Sequence, residues 1–419
     1  MITNISDCND FKAAMTCKEI SSLVIPTAAL YIHVPFCKQK CAYCDFYSVT
    51  GNSSNYFLEK ENKSAPCSRF IKKILNDVSD ITSLFRTEYF SSIYIGGGTP
   101  SVLSSEDILY LGEKLSKKLL PHTEFTIELN PESVTRDFID AAIAGGINRF
   151  SLGVQTFSEQ ILKSQYRIAT PNDIENALKI LQRTTMTHNI KVSCDLISGF
   201  PLQTQEQVRY DIRTLLKYSI QHISVYRLCT DNALLDSEND EASFLFDCAA
   251  AELYKAGFTR YEISNFAQDA SCESSHNKTY WKLLPYFGVG PSAAGSIFFN
   301  DACKYKNREE VTAIRTTGMF DINCWLQNNF PYTIETISFE NEVKDFLLMG
   351  LRLKEGIDKE NFFQRFGFSF DSLMHDTIKK FSNFVACNSE KKFSLTDEGL
   401  NFLSAFLVDA FIQIENFLV

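Results

Sequence analysis

Three thiols, Cys37, Cys41 and Cys44, fall within eight residues of the stretch LYIHVPFCKQKCAYCDFY, separated by three and then two residues. Thiolates are soft ligands that suit zinc or an iron–sulfur cluster. Three protein ligands on a cubane leave one iron open, so an exogenous small molecule is expected as the fourth ligand. Two plainer readings compete. Three cysteines cannot form two disulfides, but His33 as a fourth ligand would complete a structural zinc site.

Strand and helix signals place this loop. Leu30-Tyr31-Ile32-His33-Val34 reads as a strand that Pro35 stops just before the first cysteine. Five further strand-like runs follow at 92–95, 125–129, 149–155, 192–197 and 222–226, separated by amphipathic stretches. Ser104, Thr135 and Thr170-Pro171 mark helix starts, and Thr204 with Gln207 reads as a capping box. This alternation predicts an α/β fold with a parallel sheet and right-handed crossovers. Six units are too few for a closed eightfold barrel, so a partial (β/α)6 barrel with a lateral opening is expected. Ligands of such sheets gather at the carboxyl ends of the strands. The cysteine loop, Gly96-Gly97-Gly98-Thr99, Glu128, Gln155, Asp195 and Tyr226 all fall there, with Arg167 in the loop beyond.

Each of these residues has a ligand role and a structural one. The glycines let backbone approach a ligand and offer N–H groups to a carboxylate, or simply make a tight turn. Glu128 can accept two hydroxyls of a ribose, or serve in a salt bridge. Gln155, Arg167 and Asp195 are polar groups beside apolar strands, suited to ligand contact.

Composition narrows the setting. The 419 residues are 45% hydrophobic and 22% charged, enough for a large domain and one or two smaller ones. A formal charge of −10 argues against a nucleic-acid partner. The 13 cysteines show no paired framework and the first residues carry no basic, apolar leader, which points to a reducing cytoplasm. Cys194, Cys229 and Cys248 read as inert core residues. No apolar run reaches the roughly 18 to 20 residues that span a bilayer, so membrane contact is at most peripheral. Residues 1–27 read as a leader packed on the barrel, 28–235 as the barrel, 236–340 as a connecting region and 341–419 as a C-terminal domain. Residues 51–66 read as a polar surface loop.

The motifs YIHVPFCKQKCAYCDF, GGGTPS, IELNPES, NRFSLGVQTF and CDLISGFP, in this order, resemble the oxygen-independent coproporphyrinogen III oxidase family of radical S-adenosylmethionine (SAM) proteins. The resemblance implies a 4Fe-4S cluster on Cys37, Cys41 and Cys44, with SAM on the open iron and an electron donor for the cluster. It implies SAM contacts from Tyr31, Gly97 and Glu128. Tyr43, Gly98, Thr99, Gln155, Arg167 and Asp195 match positions around a second SAM. The oxidase pattern has a further cysteine two residues after the third ligand, whereas Cys44 here is followed by Asp45 and Phe46. RYEISNFA, HNKTYW and GVGPSA instead resemble the heme chaperone subfamily, implying heme binding and delivery to an acceptor protein. Two histidines of relatives are absent: Tyr166-Arg167-Ile168-Ala169 stands for GRxH, and GPSAAG for GPSAHS.

His276 has a chemistry of its own, because a neutral imidazole is a good axial ligand for heme iron. Tyr280 and Trp281 would supply aromatic surface. A lone histidine beside aromatics is equally a packed core group, and His33, Cys272 and Tyr280 stay open as ligands. The C-terminal residues read as a mostly helical, winged-helix-like domain. A helix through 346–353 ends near Gly356, another starts at Asp358, and a hairpin joins 384–386 to 392–395. The face Phe402, Phe406, Leu407, Phe411, Ile412 and Ile414 reads as core. Three functions follow: a heme carrier with a SAM-ligated cluster, a radical SAM decarboxylase of porphyrinogen propionates, and a zinc-stabilised interaction module.

Overall fold

The computed structural model describes residues 2–5, 23–51, 57–62, 64–228, 236–299 and 310–418, with the backbone alone for 2–5 and 236–240. Cys229, most of the leader and part of the 51–66 loop lie outside the described residues.

The first half alternates as expected. Its elements are β1 (Thr27–Val34), α1 (Arg69–Leu84), β2 (Tyr89–Gly97), α2 (Ser105–Leu115), β3 (Phe125–Leu129), α3 (Arg136–Ala144), β4 (Arg149–Gln155), α4 (Glu159–Ser164), α5 (Pro171–Thr185), β5 (Lys191–Ser198), α6 (Gln205–Leu215) and β6 (His222–Arg227). Strands β1 to β6 pair in parallel in chain order. Ser68, Ser104, Thr135, Thr170 and Thr204 each accept the backbone N–H three residues on, which fixes where five helices begin. The reciprocal box forms at Thr170 and Asp173. At Thr204 only half forms, because the Gln207 amide donates to Asp211 at 2.7 Å.

The sheet continues beyond six strands. After β6 come α7 (Asp236–Lys255), β7 (Thr259–Arg260), β8 (Asn265–Ala267), α8 (Ser275–Trp281), β9 (Tyr286–Val289), β10 (Ala294–Phe298), β11 (Val311–Gly318), α9 (Ile322–Gln327) and β12 (Tyr332–Ser338). Strand β9 pairs in parallel with β1, β10 to β12 continue antiparallel, and Ile2–Ile5 pairs with β12. At the other edge β8 and then β7 lie antiparallel beside β6. Strands β7 to β10 are only two to five residues long, and β11 and β12 interleave Thr and charged residues with apolar ones, so they lack the continuous apolar run of a doubly covered parallel strand.

The C-terminal region comprises α10 (Phe339–Gly350), β13 (Ile357–Asp358), α11 (Lys359–Phe366), α12 (Phe370–Lys380), β14 (Val385–Asn388), β15 (Lys392–Leu395), α13 (Asp397–Asn401) and α14 (Leu403–Phe417). It is mostly helical with a three-stranded sheet ordered β13-β15-β14, and has its own apolar core around Val343, Phe362, Leu373 and Phe393. Helix α10 starts well before residue 346, capped by Ser338, and stops at Gly350. Phe406, Leu407 and Ile414 are core as expected, but Phe402 and Ile412 are 52% and 57% exposed. Cys194 is buried, whereas Cys248 is only half-buried and accepts from the Gln205 amide at 2.9 Å. Among the described residues no helix is long and apolar enough to cross a membrane.

Candidate functional site

The carboxyl ends of β1 to β5 bring the cysteine loop, the glycine run and most of the polar candidates together. Strand β1 is almost wholly buried, and Pro35 turns the chain out so that Cys37, Cys41 and Cys44 emerge half-buried and unbridged. A turn closes the loop, with the Cys44 N–H on the Cys41 carbonyl at 3.2 Å. The Ala42 N–H donates to the Gln165 carbonyl at 3.1 Å, tying the loop to the segment after α4. Burial pushes the thiols of Cys37 and Cys44 up, opposed at Cys37 by the Thr99 hydroxyl and at Cys44 by the Phe46 backbone.

One hydrogen-bonded chain links four elements to these sulfurs. Arg167 donates to the Asn130 side-chain oxygen at 3.1 Å and to the Gly153 carbonyl at 2.6 Å. Asn130 donates to Thr99 Oγ1 at 2.9 Å, and Thr99 donates to Cys37 Sγ at 3.5 Å. A second guanidinium nitrogen of Arg167 lies 3.9 Å from Cys41 Sγ. Arg167 thus addresses two of the three sulfurs. Beside it, Gln155 adopts φ +66°, a strained conformation for a non-glycine residue, which functional sites often retain. Gln155 Oε1 and Arg167 Nε are buried and without partners among the described residues, an acceptor and a donor ready for a ligand.

The glycine run packs against the loop. A Cβ on Gly98 would lie 2.9 Å from Cys37 Sγ and from the Phe36 carbonyl oxygen. Gly97 has φ +113°, and a Cβ there would lie 2.6 Å from the His33 ring. Gly98→Ala should therefore destabilise the apo chain by about 1–3 kcal/mol through overpacking, read as a lowered urea midpoint. An unchanged midpoint would contradict this geometry.

Deeper in the barrel, Glu128 accepts from the Tyr94 hydroxyl at 2.7 Å and the Gly97 N–H at 3.0 Å. Burial, reinforced by Asp195, pushes its carboxyl up to about 7 against these two donors. Tyr31 bonds His33 Nδ1 at 2.9 Å, while His33 Nε2 faces the Tyr47 carbonyl at 2.9 Å. The carbonyl can only accept, so Nε2 carries the proton and Tyr31 donates to Nδ1. His33 is thus already engaged in the fold. Asp195 accepts from Ser151 at 3.0 Å, and burial pushes its carboxyl up. Tyr43 packs edge-on against Phe200 at 5.6 Å. Among the described residues no three His, Cys, Asp or Glu side chains converge to hold a single metal ion. A cubane makes no such demand, since each thiolate takes a different iron.

The heme candidates lie elsewhere. His276 is 1% exposed, with Nδ1 2.8 Å from Ser92 Oγ and Nε2 2.7 Å from Tyr280 OH. It stacks on Tyr94 at 5.1 Å, and burial lowers its pKa to about 4 against the pull of Glu124. In this arrangement both ring nitrogens are used, so ligating an external iron would require both bonds to break. Helix α8 and the segment before it form a polar floor under the barrel. Glu124 accepts from Ser274 Oγ at 2.9 Å and the Ser275 N–H at 2.7 Å, Arg149 donates to the Cys272 carbonyl at 2.9 Å, and Tyr261 bonds His222 at 2.9 Å. Burial raises the Glu124 carboxyl, but Arg149, His276 and these donors together hold it below the usual range. Cys272, the other ligand left open, is buried in this floor. Trp281, at the far end of α8, faces away under the Arg352 guanidinium at 5.0 Å.

Asn130, Tyr94 and Ser151 were not evident as site residues from sequence. Asn130 had a signal, since it directly follows the strand bearing Glu128; the other two sit within apolar runs.

Comparison with known proteins agrees with this architecture. Residues 31–215 match the radical SAM superfamily and residues 337–402 the HemN C-terminal domain. Heme chaperone HemW of Bacillus subtilis (strain 168) is 28% identical over 390 residues, covering 88% of this chain and 95% of the relative. Heme chaperone HemW of Escherichia coli (strain K12) is 29% identical over 393 residues, covering 91% and 98%. The solved structure of coproporphyrinogen III oxidase (HemN) from Escherichia coli, a radical SAM enzyme, superposes with a TM-score of 0.73 at 17% identity, covering 96% of this chain and 93% of that one. At that identity it speaks for the fold. The chain thus holds a radical SAM region followed by a region matching the HemN C-terminal domain, and over most of its length it is similar to the HemW heme chaperones.

Proposed function

We propose that the chain binds heme and hands it to an acceptor protein, and that it carries a 4Fe-4S cluster on Cys37, Cys41 and Cys44 with an exchangeable SAM. The cluster rests on the gathering of three unbridged thiols, the Gly97–Gly98 cradle and the Arg167–Asn130–Thr99 chain at one strand end, and the heme cargo on the similarity to HemW heme chaperones over most of the chain. These residues fit a cluster: the donor set is soft, and a Cβ at Gly98 would intrude on Cys37. When bound, the cluster supplies an open iron for the amino and carboxylate groups of SAM and an electron from an external donor.

The chain's own residues position that ligand. Tyr31, Gly97 and Glu128 line the path from the loop into the barrel, where Glu128 has lone pairs beyond those used by Tyr94 and Gly97. Tyr43, Gly98, Thr99, Gln155 and Arg167, with Asp195 deeper in the barrel, suit a second SAM. The Arg167 guanidinium stabilises anionic sulfur near it. The setting is the cytoplasm, with no nucleic acid and at most peripheral membrane contact. Decarboxylation of porphyrinogen propionates is the second reading, favoured by the HemN-like fold and disfavoured by Asp45 and Phe46 after the third cysteine.

Anaerobically reconstituted chain should hold about four irons, change the Soret band on hemin addition, and form no protoporphyrinogen from coproporphyrinogen III with SAM and reductant. Turnover without heme uptake would establish the second reading. Colourless, zinc-loaded protein would overturn both.

A further inference from the structure

A cleft of about 740 Å³ opens between the turn after α8, the end of β10, helices α10 and α11, and the start of β15. Strand β9 runs parallel to β1 with Tyr286 opposite Ala29, so the turn before it lies at the amino ends of the barrel strands. The cysteines follow the carboxyl end of β1. Cleft and thiols are therefore at opposite ends of the barrel.

We propose that this cleft is a tetrapyrrole site, which takes the macrocycle by its faces and its carboxylates rather than by its metal. The inference rests on the heme-carrier reading and adds where the cargo sits. The volume lies within the roughly 300–1,000 Å³ of pockets that enclose organic ligands. Trp281, Phe298 and Phe346 supply aromatic walls. Arg365 lies over the Phe298 ring at 4.4 Å, and its Nη2, like Trp281 Nε1, is buried with no partner among the described residues. Lys391 and Lys392 stand at the rim, and neither makes an ion pair among the described residues. Glu342, Glu355 and Asp358 also line the cleft, where Arg365 donates to Glu342 at 2.6 Å and Lys282 pairs with Glu355 at 2.9 Å, so Lys391, Lys392 and the Nη2 of Arg365 are the groups left to meet the propionates of a planar ring held between the aromatic walls. No His, Cys, Met or Tyr is among the lining residues, so an axial bond does not define the site. Of the three heme candidates, Trp281 alone lines it.

The full chain, prepared anaerobically, is titrated with hemin and with metal-free protoporphyrin IX, followed by quenching of tryptophan emission. Two variants alter the rim, at exposed Lys391 and Gln364 and half-buried Lys392: K391E/K392E reverses the rim charge, and Gln364→Trp fills the cleft from α11. Wild type should bind both compounds within about fivefold of each other. Each variant should weaken both at least tenfold with an unchanged circular dichroism melt. If wild type binds hemin and both variants keep that affinity, the cleft is not the site and the carrier reading stands. If hemin binds and protoporphyrin IX does not, the iron governs recognition and the proposal fails. No hemin binding by wild type defeats the carrier reading as well.

Discussion

Alanine at Cys37, Cys41 or Cys44 should each reduce the iron of anaerobically reconstituted chain from about four atoms per chain to near background, and remove its brown colour. Two thiolates leave two irons of a cubane without protein ligands, so loss should be nearly complete for every member of the trio. The fold should survive. The three side chains are half-buried on a loop, while the scaffold is held by a separate core running from Ile25 to Ile334. The urea midpoint of the iron-free variants should therefore stay within about 0.5 kcal/mol of the iron-free parent. Iron analysis with urea unfolding checks both parts. A variant that keeps its full iron complement would remove that cysteine from the ligand set and with it the proposed cubane.

The contribution of buried Glu262 to stability should fall as pH rises from about 4.5 to 7, opposite in sign to that of the buried His276 imidazole, whose pKa is lowered to about 4. Glu262 is 0% exposed, and desolvation pushes its carboxyl from 4.5 up to about 7 despite the Ser264 and Ile263 backbone, Arg260 and Arg352. In that window the folded state holds a proton that the unfolded state has lost, so unfolding releases it and becomes easier with each step upward. At about 1.4 kcal/mol per pH unit the cost reaches about 3 kcal/mol above pH 7. Asp211, at about 6 and likewise raised by burial, acts in the same direction. Glu262→Gln isolates one contribution: urea unfolding across pH 5 to 8 should show the variant gaining on the parent as pH rises. Parallel curves would show that Glu262 ionises in the folded chain as freely as in water.

The barrel was legible because strands covered on both faces leave continuous apolar runs. Phe125–Leu129 and Arg149–Gln155 form with the expected bounds, and the other four strands lengthen by one to five residues overall. The cysteine loop was legible from spacing, and Glu128, Gln155 and Asp195 from their place at strand ends. The antiparallel strands were not, since Tyr286–Val289 and Ala294–Phe298 are short and include glycine. The surroundings of His276 were equally hidden. Its type and neighbours suggested a ligand, but its partners Ser92 and Glu124 are 184 and 152 positions away. The cleft joins the residues around 281–299 to those around 339–392, a juxtaposition that local pattern cannot express.

Strand β1 has ladder partners on both sides, β9 on one and β2 on the other. The backbone that delivers the first thiol therefore cannot peel away at an edge; releasing it needs the wide ribbon to come apart cooperatively. Oxidative damage that stripped the proposed cluster would leave the anchoring strand in register. The same polypeptide would then be open to refilling, without first having to refold.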